Sequence, residues 1–167
     1  AVGGGSVIDG TKFIAAACCF DGNPWDILEK QTEIKDALPF GAVLTLAAAG
    51  SEMNCGAVIS RQETKEKRVF MHEKVFPRFA ILDPATTFSV PSKHKANGIV
   101  DIFVHVLEQY LTYPVNSPLQ DYFAESILQT VIEEGPKIMA DSNDYHAHAN
   151  IMLAGTMAIN HILMAGM

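Results

Sequence analysis

A chain of 167 residues, 49% hydrophobic and 19% charged, is long enough for one or two units that each bury a core. Its net charge of -7 and pI near 5.2 exclude nucleic acid and anionic membrane as principal partners, since both require clustered Lys and Arg. Cys18, Cys19 and Cys55 form no CxxC pair and read as reduced thiols of a cytoplasmic protein, while the longest apolar run, Ala42 to Gly50, is far short of the roughly 20 residues that span a bilayer.

The chain begins with Ala1 and Val2 running into Gly3, Gly4 and Gly5, with no charged segment ahead of an apolar one, so no signal peptide is expected. A helix is predicted over Val7 to Cys19, its apolar residues interrupted only by Asp9, Gly10, Thr11 and Lys12. Asp21, Gly22, Asn23 and Pro24 end it, and Trp25 to Leu28 form a short helical turn. Ala42 to Leu46, after Pro39 and Gly41, reads as a buried strand. Val58 to Arg61 and Lys67 to Met71 flank the polar stretch Gln62 to Glu66 as a hairpin, and Phe79 to Leu82 is a strand closed by Asp83 and Pro84.

After Pro91 the pattern turns to long helical periodicity, which places a domain boundary between residues 91 and 92. Three helices are expected: Ser92 to Thr112, stopped by Pro114; Ser117 to Glu134, ahead of Gly135 and Pro136; and Tyr145 to Met164. The first presents Val100, Phe103, Val104, Leu107 and Leu111 as its apolar stripe.

Three segments carry chemistry. In GGGSVID, Gly3 to Asp9, glycine lets a bulky anion approach the backbone and the free N–H groups of a helix start favour phosphate oxygens; a plain tight turn fits these residues as well. In ANGIVDIFVHVLEQY, Ala96 to Tyr110, the four-residue spacing of Asp101 and His105 sets a carboxylate and an imidazole on one helix face, able to share a cation or to form a hydrogen-bonded polar face, with Glu108 on the same side. In TLAAAGSEMNCGAVI, Thr45 to Ile59, small residues leave room for a ligand that Thr45, Ser51 and Asn54 could bind, with Lys67 in reach of a phosphate or ribose; a tight loop after a strand is the other reading.

In this order and spacing GGGSVID, TLAAAGSEMN and LDPATTFSVPSKHKANGIVDIFVHVLEQY resemble the iron-containing (group III) alcohol dehydrogenases, above all the branch of NADP-dependent aldehyde reductases and butanol dehydrogenases. The resemblance runs from Ala1 to Met167 and implies an α/β fold followed by an all-α one. Residues 1–91 would be part of a nicotinamide-nucleotide-binding α/β domain, and residues 92–167 the first helices of an all-helical metal-binding domain. It implies hydride transfer between NADP (or NAD) and a small-molecule aldehyde or alcohol, in a homo-oligomer that binds neither nucleic acid nor membrane.

By the family's motif, Gly4, Gly5 and Ser6 lie against the pyrophosphate, and Thr45, Asn54, Lys67, Thr86 and Thr87 line the nucleotide cleft. Asp101 and His105 match two ligands of a divalent metal, whose mixed O and N donors suit Fe, Zn, Mn or Ni; Glu108 would orient His105. The family's two further histidine ligands have no match here, His146 and His148 are expected at the surface on different sides of their helix, and Ala48 and Ala49 stand where the usual Thr-x-Gly-Ser-Glu core supplies a hydroxyl. The chain is therefore expected to be an internal piece, inactive alone; a non-catalytic remnant serving self-association or nucleotide binding is the other expectation.

Overall fold

The computed structural model describes residues 1–167, which divide into two compact units: Ala1–Val43 with Ser51–Ile81, and Leu44–Gly50 with Leu82–Met167. The segments 44–50 and 82–91 thus pack within the second unit.

In the first unit β1 (Val2–Gly3), β2 (Ala42–Leu44) and β5 (Ala80–Ile81) form a sheet in the order β1-β2-β5, with β2 and β5 parallel and Ala42 opposite Ala80. Helix α1 (Gly5–Ala17) starts two residues before the predicted position, because the Gly4 carbonyl already accepts from Val7 and Ile8 N–H at 3.0 and 3.2 Å. The short α2 (Asp26–Glu29) buries both Ile27 and Leu28. β3 (Gly56–Arg61) and β4 (Glu66–Met71) make the expected antiparallel hairpin, Val58 opposite Val69. The core joins Ala15 and Ala16 of α1 to Ile27, Leu28, Ala57, Phe70 and Val75, with Phe13 meeting Phe70 edge-on at 6.2 Å between ring centroids.

The second unit is built on α3 (Ser92–Tyr110), α4 (Pro118–Ala140) and α5 (Tyr145–Ala158), around Ile102, Val106, Ala124, Val131, Ile138, Ile151 and Ala154. Segment 44–50 lies so close to α3 that a Cβ on Gly98 would collide with the Ala47 carbonyl oxygen. Gly50, at φ +59, holds a left-handed turn beside the Gly155 carbonyl, a conformation that side chains resist.

Three expectations for the helices are corrected. The buried line of α3 is Lys95, Gly98, Ile102, Val106 and Gln109, whereas Val100, Val104 and Leu111 of the expected stripe are 59%, 51% and 70% exposed. Hydrophobicity favours the wrong face because the packed face has polar ends, whose donors backbone carbonyls take up: Lys95 Nζ donates to Phe88 O and Ser142 O, and Gln109 Nε2 to His105 O and Ala158 O. α4 runs through Gly135 and Pro136 to Ala140; Gly135 abuts Ile99 and Ile138 enters the core, so tertiary packing outweighs the one hydrogen bond that proline removes. α5 ends at Ala158, before Asn160 accepts from Ile162 N–H and His161 turns to φ 72.

Candidate functional site

The turn at the head of α1 is open and polar. Gly4 caps the helix in an extended conformation with no side-chain cap, leaving the Gly5 and Ser6 N–H groups without intrahelical acceptors. A Cβ placed on Gly5 meets nothing within 4 Å, so a bulky anion can approach the backbone there. Ser6 is exposed beside it. The aligned peptide dipoles add a partial positive charge at this end.

Below the turn lies a network that the sequence reading passes over. Lys12, predicted only as an interruption of an apolar pattern, is completely buried and donates to Ser51 Oγ, Asn54 Oδ1 and Gly56 O at 3.0, 2.9 and 2.6 Å. Ser51 in turn donates to Asp9 Oδ1 at 2.5 Å, and Val58 N–H to Asp9 Oδ2 at 2.9 Å. Burial pushes the Lys12 ammonium down to about 8, against the opposing pull of Asp9, Cys55 and Glu52. The signal in the sequence was Asp9 and Lys12, three apart on one face of an otherwise apolar helix. Asn54 faces Lys12 and also accepts from Gly56 N–H at 3.0 Å. Lys67 stands exposed on β4 opposite Ser60 of the hairpin.

In the second unit Thr45 is half-buried beyond β2, and Thr86 Oγ1 reaches both Leu44 O and Asp83 O at 2.7 Å. Thr87 is buried and bonded to Pro84 O at 2.7 Å and to His148 Nδ1 at 2.6 Å. His148 is thereby corrected from a surface residue to a core one, 4% exposed, its Nε2 facing Ser142 O at 3.1 Å, while His146 is exposed as expected. Two residues apart on a helix they do point apart, but α5 packs on the Pro84–Thr87 turn and encloses one of them.

Asp101 and His105 share a face of α3, with Asp101 Oδ2 3.6 Å from His105 Nε2 and side chains 47% and 25% exposed. That separation is too long for a hydrogen bond and matches the roughly 3.4 Å between two donors set tetrahedrally about 2.1 Å from one ion. His105 Nδ1 is buried without a partner. The spacing fits two ligands of one divalent cation, and no group of three or more His, Cys, Asp or Glu side chains gathers there. Glu108, expected to orient His105, is exposed and makes no hydrogen bond or ion pair with it, because its position faces solvent one turn further on.

Sequence models for "Iron-containing alcohol dehydrogenase" and for "Fe-containing alcohol dehydrogenase family, C-terminal" match residues 1–84 and 95–167. The chain belongs to the iron-containing alcohol dehydrogenase family. Within that family it is 54% identical to the NADPH-dependent aldehyde reductase YqhD of Escherichia coli, over 99% of this chain and 44% of the relative. It is also 54% identical to the probable NADH-dependent butanol dehydrogenase 1 of Bacillus subtilis, over 99% and 43%. The crystal structure of E. coli YqhD superposes with a TM-score of 0.96 at 52% identity, covering 99% of this chain and 43% of that one. That of the NADH-dependent butanol dehydrogenase A of Thermotoga maritima superposes at 0.93 with 35% identity, covering 99% and 41%. The chain thus spans less than half the length of these family members, and no helix in it is long and apolar enough to cross a membrane.

Proposed function

We propose that this chain is part of a cytoplasmic, metal-dependent oxidoreductase that moves hydride between NADP (or NAD) and a small-molecule aldehyde or alcohol. The observation that carries the reading is the Asp101 and His105 pair at 3.6 Å, within a chain whose two parts match the two parts of one dehydrogenase family. Residues 1–91 serve as its nucleotide portion. There the Gly4, Gly5 and Ser6 backbone takes the pyrophosphate, with Asn54 and Lys67 of the same unit among the nucleotide's contacts. Residues 92–167 serve as the metal portion.

A bound divalent metal, Fe, Zn, Mn or Ni, polarises a carbonyl or alcohol oxygen. Asp101 contributes negative charge that offsets the cation, and His105 a neutral imidazole nitrogen held on a rigid helix. Two protein ligands are fewer than the three that catalytic sites of this kind use, so the chain alone holds metal weakly and turns over no substrate. The test combines metal analysis with NADPH-dependent reduction of a panel of short aldehydes. Tight stoichiometric metal and turnover by the 167-residue chain would sink the inactivity; absence of NADPH binding would sink the nucleotide role.

A second reading, self-association, draws on one observation. α3 and α4 leave an apolar groove of about 360 Å³ lined by residues including Ile99, Val100, Phe103, Ile132 and Met139. The expected homo-oligomer belongs to this reading.

A further inference from the structure

Asp9 and Lys12 hold the 51–58 segment against α1 at two points one turn apart. Lys12 is 0% exposed, and its three ammonium hydrogens are matched by three acceptors at 2.6 to 3.0 Å. Two acceptors, Ser51 Oγ and Asn54 Oδ1, are themselves tied, one to Asp9 and the other to the Gly56 N–H. The result is a closed polar cluster, with Lys12 and Asp9 joined through Ser51, under a helix that otherwise packs through Ile8, Ala15 and Ala16.

Stability alone does not account for such a cluster. An apolar side chain of similar volume in place of a buried, paired lysine is often neutral or favourable, since no charge is then taken out of water. Apolar contacts are non-directional, however, and small alanines let a helix slide or roll by fractions of an ångström. Three directional bonds from Lys12 and two to Asp9 remove both freedoms. α1 is a rigid rod whose Gly5 lies seven residues from Lys12, about 10 Å along the axis, so a shift at one end is carried to the other.

We infer that Lys12, acting through Ser51, Asn54 and Gly56 with Asp9 beside it, is a positioning residue that sets the depth and rotation of α1 and so fixes where the Gly5 and Ser6 amides stand for a nucleotide pyrophosphate. The ligand side of this inference rests on the glycine turn being the phosphate site proposed above. Hydrogen bonds from two backbone amides tolerate errors of only a few tenths of an ångström, and misplacement by 1 Å can cost about a hundredfold.

The test compares Lys12→Met with Ile27→Val and Ile27→Ala, which loosen the core of the same unit in two steps without touching the cluster. On the full chain one measures thermal unfolding, the NADPH dissociation constant and the backbone amide resonances of Gly5 and Ser6. Lys12→Met is expected to weaken NADPH about tenfold or more and to move both resonances, while the Ile27 variants lose stability and keep affinity within about twofold. A folded Lys12→Met with unchanged resonances and affinity overturns the inference, as does an Ile27 variant that loses affinity in step with stability. If Lys12→Met does not fold, Ser51→Ala removes the link to Asp9 and should move the same resonances less; resonances left in place there also overturn it. A wild-type chain that binds no NADPH overturns the phosphate-site reading instead, and the ligand-free resonances still decide the role of Lys12.

Discussion

His148 Nε2 faces the Ser142 carbonyl, which can only accept, so that nitrogen carries the hydrogen, and the single Thr87 hydroxyl hydrogen is shared between Nδ1 and the Pro84 carbonyl. Burial, and after it the Lys95 ammonium, holds the imidazole below its ordinary pKa of 6.5. The unfolded chain therefore takes up the proton first as pH falls. The stability linked to the neutral ring is complete above pH 6.5 and is lost as pH falls from there through the lower folded value. Wild-type melting temperature should decline between pH 7.5 and 5.5, and His148→Leu should flatten that decline while losing about 1–3 kcal/mol at neutral pH through the two lost bonds of the imidazole, to Ser142 O and to Thr87. Melting curves across that range check both. At Asp101 and His105, the proposed metal ligands, His105→Ala should abolish binding of Co²⁺ followed by its visible absorption, and Asp101→Asn should weaken it about tenfold or more by removing the charged donor. Binding that persists in His105→Ala places the ion elsewhere.

α3 presents two candidate faces, and the element scale decides between them. Val100, Val104 and Leu111 are the more hydrophobic set, yet Gly98 on the opposite side lets the 44–50 segment close on the helix, and that approach selects Ile102 and Val106 for the core. Gly98→Ala gains roughly 1 kcal/mol in helix propensity and meets a backbone carbonyl that cannot move aside. A net loss of about 1–3 kcal/mol is expected, read as a lower urea midpoint with unchanged slope. α4 makes the same point at Pro136. A local rule ends the helix at Glu134, but Ile138 on the following turn is core and draws the chain onward. The hairpin β3–β4 and helix α1 were legible because alternation and the glycine turn are local signals; these two choices depend on what stands opposite.

For the whole chain, the groove between the start of α3 and the end of α4, and at the other end of those helices the exposed Leu111, Tyr113, Leu119 and Tyr122, present apolar surface. Such surface is expected to drive association. Light scattering should show a mass that rises with protein concentration, and Val100→Lys, placed in the groove, should shift the equilibrium toward monomer. A mass of 18.1 kDa at every concentration would show the groove stays uncovered.

The sequence by itself determined the family, the order of α/β and helical parts, the open glycine turn and the pairing of Asp101 with His105. Each depends on spacing along a single element, which a linear pattern records. Tertiary structure alone decided that Lys12 is enclosed, that His148 is a core residue, that Glu108 leaves His105 alone, and which face of α3 is buried. For Lys12 and His148 the environment comes from partners 39 and 61 residues away, Ser51 and Thr87. Residue type cannot reveal whether a buried charge has found its acceptors. The glycine turn is legible in the sequence; the enclosed Lys12 beneath it is not, because a lysine within an apolar pattern reads as a break in a helix.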